Sequence, residues 1–137
     1  MKAHAPNIII NSHDAERLRS LLDRAAAADD TADRLEAEID RARLLPPERI
    51  PPQTVTMRSV VRFHLSTIEH ALEKRLVYPR ELQDPATEVS VLSPIGAALL
   101  GLSEGDSMDW ELPDHRVARI TVEAVVYQPE AQGEYSR

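Results

Sequence analysis

The sequence predicts an α+β protein in which helices come first and β-strands follow. Apolar residues recur every three or four positions across residues 12–45, as they do in amphipathic helices. In 108–112 and 117–127 they alternate with polar or charged residues, as they do in half-buried strands. A proline-rich segment separates the two patterns. We therefore expect a helical domain in residues 1–45, a linker in 46–53 and a second domain with an antiparallel sheet in 54–137.

The composition is that of an acidic chain without cysteine. Its 137 residues include 23 Asp and Glu against 16 Lys and Arg, for a formal net charge of −7. This charge disfavours direct, sequence-specific binding to nucleic acid, and an aromatic content of 4% disfavours a base-stacking platform. The absence of cysteine excludes disulfides and thiolate metal sites. No apolar run approaches membrane-spanning length, so we expect a soluble, cytoplasmic protein with no membrane partner.

Two helices are expected in the amino-terminal part. The first covers about 12–28 and the second about 32–45, and their apolar residues fall on one face of each: Ala15, Leu18, Leu21, Leu22, Ala25 and Ala28, then Ala32, Leu35, Ile39 and Ala42. The connection at 29–31 is short, so the helices must run antiparallel as a helical hairpin, a short coiled coil. Paired prolines at 46–47 and 51–52 end the second helix.

The segment after the linker contains one predicted strand and one ambiguous stretch. Residues 54–65 are rich in β-branched and other apolar residues, which favours a strand. In 66–76, the sequence from Ser66 to Glu69 is a capping box and the apolar spacing is helical. The alternation of Leu72, Leu76 and Tyr78 is instead compatible with a strand. Both alternatives remain open on the pattern alone.

A short helix is predicted to begin at Pro94. Ser93 is a preferred N-cap residue, and proline at the first helical position loses only an N–H that would have no partner in the helix. Gly101 ends the helix after about two turns, since glycine readily adopts the left-handed conformation. Ser93 is therefore interpreted as a cap and not as a nucleophile, because no neighbouring base would activate it.

A β-hairpin follows the short helix. The strand 108–112 places Met108, Trp110 and Leu112 on its inner face. The strand 117–127 places five residues on one side: Ala118, Ile120, Val122, Ala124 and Val126. This hairpin is the most clearly patterned unit of the chain.

Four segments carry a family resemblance: IIINSHDAERL from Ile8, LVYP from Leu76, SPIGAALLGLSEGDSMDWELP from Ser93 and VYQPEAQGEY from Val126. They resemble the Rnk family, regulators of nucleoside diphosphate kinase, and more distantly the carboxy-terminal domain of the Gre transcript-cleavage factors. The resemblance covers nearly the whole chain. It implies an FKBP-like domain, with a curved antiparallel sheet around the short helix, and it favours a strand in 66–76.

The resemblance also implies a function. An Rnk-like protein binds RNA polymerase near its secondary channel, and its family has an association with nucleoside diphosphate kinase, a possible second partner. In Gre-like domains the polymerase contact corresponds to Ser93, Pro94, Ile95 and Gly96. Gre factors also carry a carboxylate pair at the tip of a helical hairpin, which helps to hold a catalytic Mg²⁺; the corresponding acidic tip is Asp29, Asp30 and Asp33. Their arms are longer, so we expect competition with Gre factors without transcript cleavage.

No enzymatic or cofactor site is predicted. The five histidines are scattered along the chain without carboxylates at ligand spacing, and no phosphate-binding glycine motif occurs. The acidic residues of 29–40 are also typical of a solvent-exposed helix start, where the helix dipole favours negative charge. This alternative assigns no function to the tip. Peptidyl-prolyl isomerase activity is a less favoured alternative, because the aromatic residues are few and are assigned to strands.

Overall fold

The computed structural model describes residues 7–24, 31–111 and 114–134. The helices are α1 (Ser12–Arg24), α2 (Thr31–Arg41) and α3 (Pro94–Leu99), and 3-10 turns lie at Pro47–Arg49, Pro79–Glu81 and Glu130–Gln132. The strands are β1 (Ile9–Asn11), β2 (Arg43–Leu45), β3 (Val60–Leu65), β4 (Leu72–Val77), β5 (Glu88–Ser90), β6 (Ser107–Glu111) and β7 (Val117–Tyr127). None of the described helices is long and apolar enough to cross a membrane.

The larger sheet has the strand order β5-β4-β3-β7-β6 and curves over α3, which contacts β5, β6 and β7. Three of its pairings are antiparallel, as predicted, but β4 and β5 are parallel. The expectation of a purely antiparallel sheet was therefore wrong. A parallel partner must begin at the same end of the sheet as β4, and the connection 78–87 is long enough to bring the chain back to that end. An antiparallel hairpin would need only a short turn.

The hairpin of β6 and β7 has the predicted bounds to within one residue, and most of its inner face is as expected. Met108, Trp110 and the first three inward residues of β7 are buried, whereas Val126 is 51% exposed. Leu112, the third residue predicted on the inner face of the first strand, lies outside the described residues. The β3–β7 register shifts between Val60 and Val61 and between Arg62 and Phe63. Each shift is a β-bulge, in which β7 has one residue more than β3. The side chains beyond a bulge change to the opposite face of the sheet, so Val125 packs against the core in place of Val126.

Segment 54–65 is a strand only from Val60 onward. Before it, the backbone of Val55 bonds with residues that follow α3: Val55 N–H donates to Leu102 O at 2.7 Å, and Gly101 N–H donates to Val55 O at 2.9 Å. The side chains of Val55 and Met57 are buried, so the apolar pattern was correct even though the secondary structure was not. At Val55, backbone hydrogen bonds to the loop after α3 take the place of hydrogen bonds to a neighbouring strand of the sheet.

The ambiguous segment 66–76 contains a turn followed by β4, so the strand interpretation is confirmed from Leu72 and the helical alternative is wrong. Ser66 does not cap a helix: its Oγ accepts from Arg119 N–H at 2.9 Å, and its own N–H donates to Arg119 O. Pairing of β4 with β3 outweighs the local helical spacing.

The amino-terminal helices contact each other, and Arg19 forms an ion pair with Asp40 at 3.0 Å. The predicted second helix ends at Arg41 rather than Leu45, because the next residues form β2, parallel to β1. These two short strands were not predicted. The predicted extension of the first helix to residue 28 lies outside the described residues, and the coiled-coil description stays a prediction.

A hydrophobic core connects the two parts of the chain. Its buried members include Ile8, Leu18, Leu35 and Ile39 from the amino-terminal part together with residues of β3, α3 and β7. The domain boundary at 46–53 stays a prediction; within this segment Pro47 and Ile50 are buried. The turn after α3 provides one junction, since Ile9 N–H donates to Gly101 O at 3.3 Å and Gly101 has a φ of 86°.

Candidate functional site

The predicted docking residues form one capped corner at the start of α3. Ser93 Oγ accepts a hydrogen bond from Gly96 N–H at 3.1 Å, and the Ser93 hydroxyl donates to Ser90 O at 2.7 Å. Pro94 occupies the first helical position. The cap role predicted for Ser93 is confirmed, and its hydroxyl is occupied by these two bonds. We call residues 93–96 the α3 corner.

Gly96 sets how closely α3 approaches β5. A Cβ added to Gly96 would lie 1.9 Å from Ser90 O and 2.7 Å from Ser90 C, both of them backbone atoms. No side-chain movement relieves such a contact, so this glycine permits the close approach. The sequence offered Gly96 only as a family match; its packing role depends on a backbone distance that no pattern reveals.

The α3 corner presents apolar atoms to solvent without being a loose loop. Ser93, Pro94 and Ile95 are half-buried, whereas Gly96 is buried. Ile95 and the preceding Leu92 also pack against the hydrophobic core. The corner is therefore a rigid surface whose apolar side chains serve both the core and the outside.

The predicted acidic tip is only partly described. Asp29 and Asp30 lie outside the described residues. Asp33 is exposed in the first turn of α2, where a carboxylate suits the helix dipole. The tip residues thus stay a prediction.

A buried polar cluster, which the sequence analysis missed, joins the two ends of the chain. It comprises Asn11, Asp14, Thr56, Ser59 and Glu130, all less than a tenth exposed. Asn11 Nδ2 and Thr56 Oγ1 each donate to the Glu130 carboxylate at 2.7 Å. Through Glu130, the VYQPE segment thereby joins the end of β1 to the turn before β3. Asn11 and Asp14 belong to the first segment that resembles the Rnk family, and Glu130 belongs to the last. This membership was the one feature of the sequence that could have indicated the cluster.

The carboxylate of Asp14 is the most perturbed acid in the described part of the chain. Burial raises the pKa of Asp14 from 3.8 to about 7, and the neighbouring Glu130 acts in the same direction. Opposing effects come from the Met57 N–H, which donates to Asp14 Oδ2 at 3.3 Å, and from the cations Arg17 and Arg58. Asp14 consequently holds its proton to a higher pH than a solvent-exposed aspartate does.

Beside this cluster lies a basic cavity of about 420 Å³ between α1 and the end of β4. Its described lining consists of four arginines and three other residues: Arg17, Arg24, Arg58, Arg80, Leu21, Tyr78 and Pro79. We call it the arginine pocket. These arginines are far apart along the chain and meet only in the fold, so the sequence contains no run of positive charge that would indicate the pocket.

Arg58 is held firmly at the wall of the arginine pocket. Its guanidinium donates to Glu81 Oε2 through both Nε, at 2.9 Å, and a terminal nitrogen, at 2.6 Å. The same group lies 5.4 Å from the centre of the Tyr78 ring. Burial raises the pKa of the Tyr78 hydroxyl, an effect that nearby Asp14 reinforces and Arg17 opposes.

Metal-binding geometry is absent from the described residues: no three His, Asp or Glu side chains are grouped to hold an ion. His64 instead pairs with Glu123 at 2.5 Å, and His115 pairs with Glu111 at 3.0 Å. Each of these two histidines therefore contacts one carboxylate at the surface, and Glu111 also pairs with Arg34 at 2.8 Å.

Two family models match most of the chain. A family model of the GreA/GreB transcription elongation factor carboxy-terminal domain matches residues 50–127, and the Rnk amino-terminal model matches residues 6–45. The regulator of nucleoside diphosphate kinase of Escherichia coli K12 is 47% identical over 131 residues, which are 95% of this chain and 96% of that protein.

Two Gre proteins are also similar. The transcription elongation factor GreA of Alkaliphilus oremlandii is 28% identical over 100 residues, which are 70% of this chain and 63% of that factor. A solved structure of a GreA/GreB elongation factor from Nitrosomonas europaea is 41% identical, with a TM-score of 0.71 over 90% of this chain and all of that one. The chain therefore belongs to the Rnk family, with an Rnk amino-terminal region followed by a Gre-type carboxy-terminal domain.

Proposed function

We propose that this protein binds RNA polymerase near its secondary channel through the α3 corner and competes there with Gre factors. The observation that carries the proposal is the rigidity of the corner within a Gre-type domain. The Ser93 cap, the fixed φ of Pro94 and the close packing of Gly96 hold half-exposed apolar atoms in one geometry. A surface that is already ordered loses little conformational entropy when it binds.

The dimensions of the helices support docking without transcript cleavage. The first helix is predicted to cover residues 12–28, and 17 residues at roughly 1.5 Å per residue give an arm of about 25 Å. The Alkaliphilus factor extends well beyond its aligned 100 residues. An acidic tip on shorter arms would act at the channel mouth and would not reach the catalytic metal.

Docking is tested by substituting Pro94 with glutamate, alone and together with Ile95→Asp. Glutamate is favourable in the first turn of a helix, so the single variant should fold. We expect its affinity for immobilised RNA polymerase to fall about tenfold, as for a residue central to an interface. The matched control is Pro79→Glu, the same change at the start of a 3-10 turn. Wild-type affinity in Pro94→Glu and in a folded double variant would refute the docking surface.

Cleavage is tested with a backtracked elongation complex incubated with the protein and Mg²⁺. We expect no shortened transcripts, but we expect the protein to inhibit cleavage by an added Gre factor. Asp29→Ala with Asp30→Ala should leave that inhibition nearly intact, since exposed ion pairs contribute about 1 kcal/mol or less. Shortened transcripts that disappear in the double variant would show that the tip does reach the metal.

A second candidate function is regulation of nucleoside diphosphate kinase by direct contact, which the name of the 47% identical relative favours. The same binding measurement distinguishes the two candidates when purified kinase replaces the polymerase on the surface. Retention by kinase alone would favour this alternative, and retention by polymerase alone would favour the proposal above.

A further inference from the structure

We propose that the arginine pocket binds a small organic phosphate of nucleotide size. The cavity of about 420 Å³ lies within the range of roughly 300–1,000 Å³ that is usual for small-molecule sites. This inference does not depend on polymerase docking, because the pocket residues do not overlap the α3 corner.

The charge of the arginine pocket is the first reason to expect a phosphate ligand. The chain is acidic overall, with a formal net charge of −7, yet four arginines from α1, the turn before β3 and the turn after β4 face the same cavity. No carboxylate belongs to the described lining of the pocket, although Arg58 is bonded to Glu81 and Arg17 lies 3.8 Å from Asp14 behind it. The positive charge directed to solvent therefore comes chiefly from Arg24 and Arg80, which are exposed. Guanidinium groups match phosphate oxygens with paired hydrogen bonds, which makes phosphate the best-fitting anion.

The fixed position of the Arg58 side chain is the second reason to expect a ligand in the arginine pocket. Arg58 has a φ of 68° at the third position of a four-residue turn, closed by Ser59 N–H donating to Thr56 O at 3.0 Å. Glycine or asparagine is favoured at such a position, so an arginine there is strained. The bonds to Glu81 and the contact with the Tyr78 ring then fix its guanidinium at the wall of the cavity.

The remaining lining accounts for the organic part of the ligand. Leu21 and Pro79 supply apolar surface, and the planar guanidinium of Arg58 can stack on an aromatic base. Arg24 and Arg80 are exposed, which places them where phosphates can enter from solvent. The site therefore fits a ligand with a planar or apolar end and a phosphorylated end.

The test is isothermal titration calorimetry of the full chain with ADP, pyrophosphate and adenosine as separate probes. We expect ADP to bind more tightly than pyrophosphate, and adenosine to bind weakest. The double variant Arg24→Ala with Arg80→Ala should weaken ADP binding about tenfold or more, since it removes two charge-assisted contacts at the mouth. Arg49→Ala, an exposed arginine outside the lining, is the matched control and should bind ADP as the wild type does.

Several results would overturn the proposal. Absence of ADP binding at millimolar concentration, or ADP binding that the double variant leaves unchanged, would show that the pocket is not the site. Adenosine binding as tightly as ADP would refute phosphate recognition by the arginines. Pyrophosphate binding as tightly as ADP would refute the role given to Leu21, Pro79 and the Arg58 plane.

Discussion

Substitution of Gly96 by alanine is expected to lower the free energy of unfolding by about 3 kcal/mol or more. The new Cβ would lie 1.9 Å from Ser90 O, so either α3 or the turn at Ser90 must move. Alanine favours a helix over glycine by only about 1 kcal/mol, which is too little to reverse the sign. Chemical denaturation followed by circular dichroism measures the change.

The matched control is Gly105→Ala. A Cβ at Gly105 would meet no atom within 4 Å, and its φ of 89° is the source of strain. The expected cost is about 1–2 kcal/mol, the cost of a left-handed conformation for alanine. A Gly96→Ala variant no less stable than Gly105→Ala would contradict the close approach of α3 to Ser90.

Substitution of Asp14 by asparagine is expected to remove most of the pH dependence of stability between about pH 4 and pH 7. Because the folded pKa of about 7 exceeds the unfolded value of 3.8, the folded state holds the proton more tightly in this window. Stability should therefore fall as pH rises from about 4 to 7. The difference between the two pKa values corresponds to at most about 4 kcal/mol.

Asparagine keeps an acceptor for the Met57 N–H, so the variant should be at least as stable as the wild type at pH 8. The amide of asparagine does not titrate, so the pH slope that comes from the raised pKa of Asp14 is lost in the variant. Asp33→Asn, which neutralises an exposed acid of α2, should retain the wild-type slope. Equal pH slopes in Asp14→Asn and the wild type, measured by urea denaturation across the window, would refute the assignment.

The sequence predicted correctly those elements whose first and last residues are marked by nearby cap, glycine or turn residues. The Ser93 cap and Gly101 bracket α3, and the alternation in β6 and β7 comes with turn residues on either side. In each case the interactions that define the element lie within a few residues of it. The α3 corner was accordingly visible in the sequence, both as a cap motif and as a family match.

Tertiary structure decided the elements whose partners are distant in the chain. Strand β2 exists because Arg43–Leu45 meets β1, more than 30 residues away, and the exposed Leu44 shows no pattern that would indicate it. The bulges of β7 depend on its register with β3. The same reason hid the Asp14–Glu130 cluster and the arginine pocket, since in each of them the charged groups come from segments that are distant in the sequence. Sequence by itself thus determined the local elements and the family, whereas long-range packing determined which polar groups share an environment.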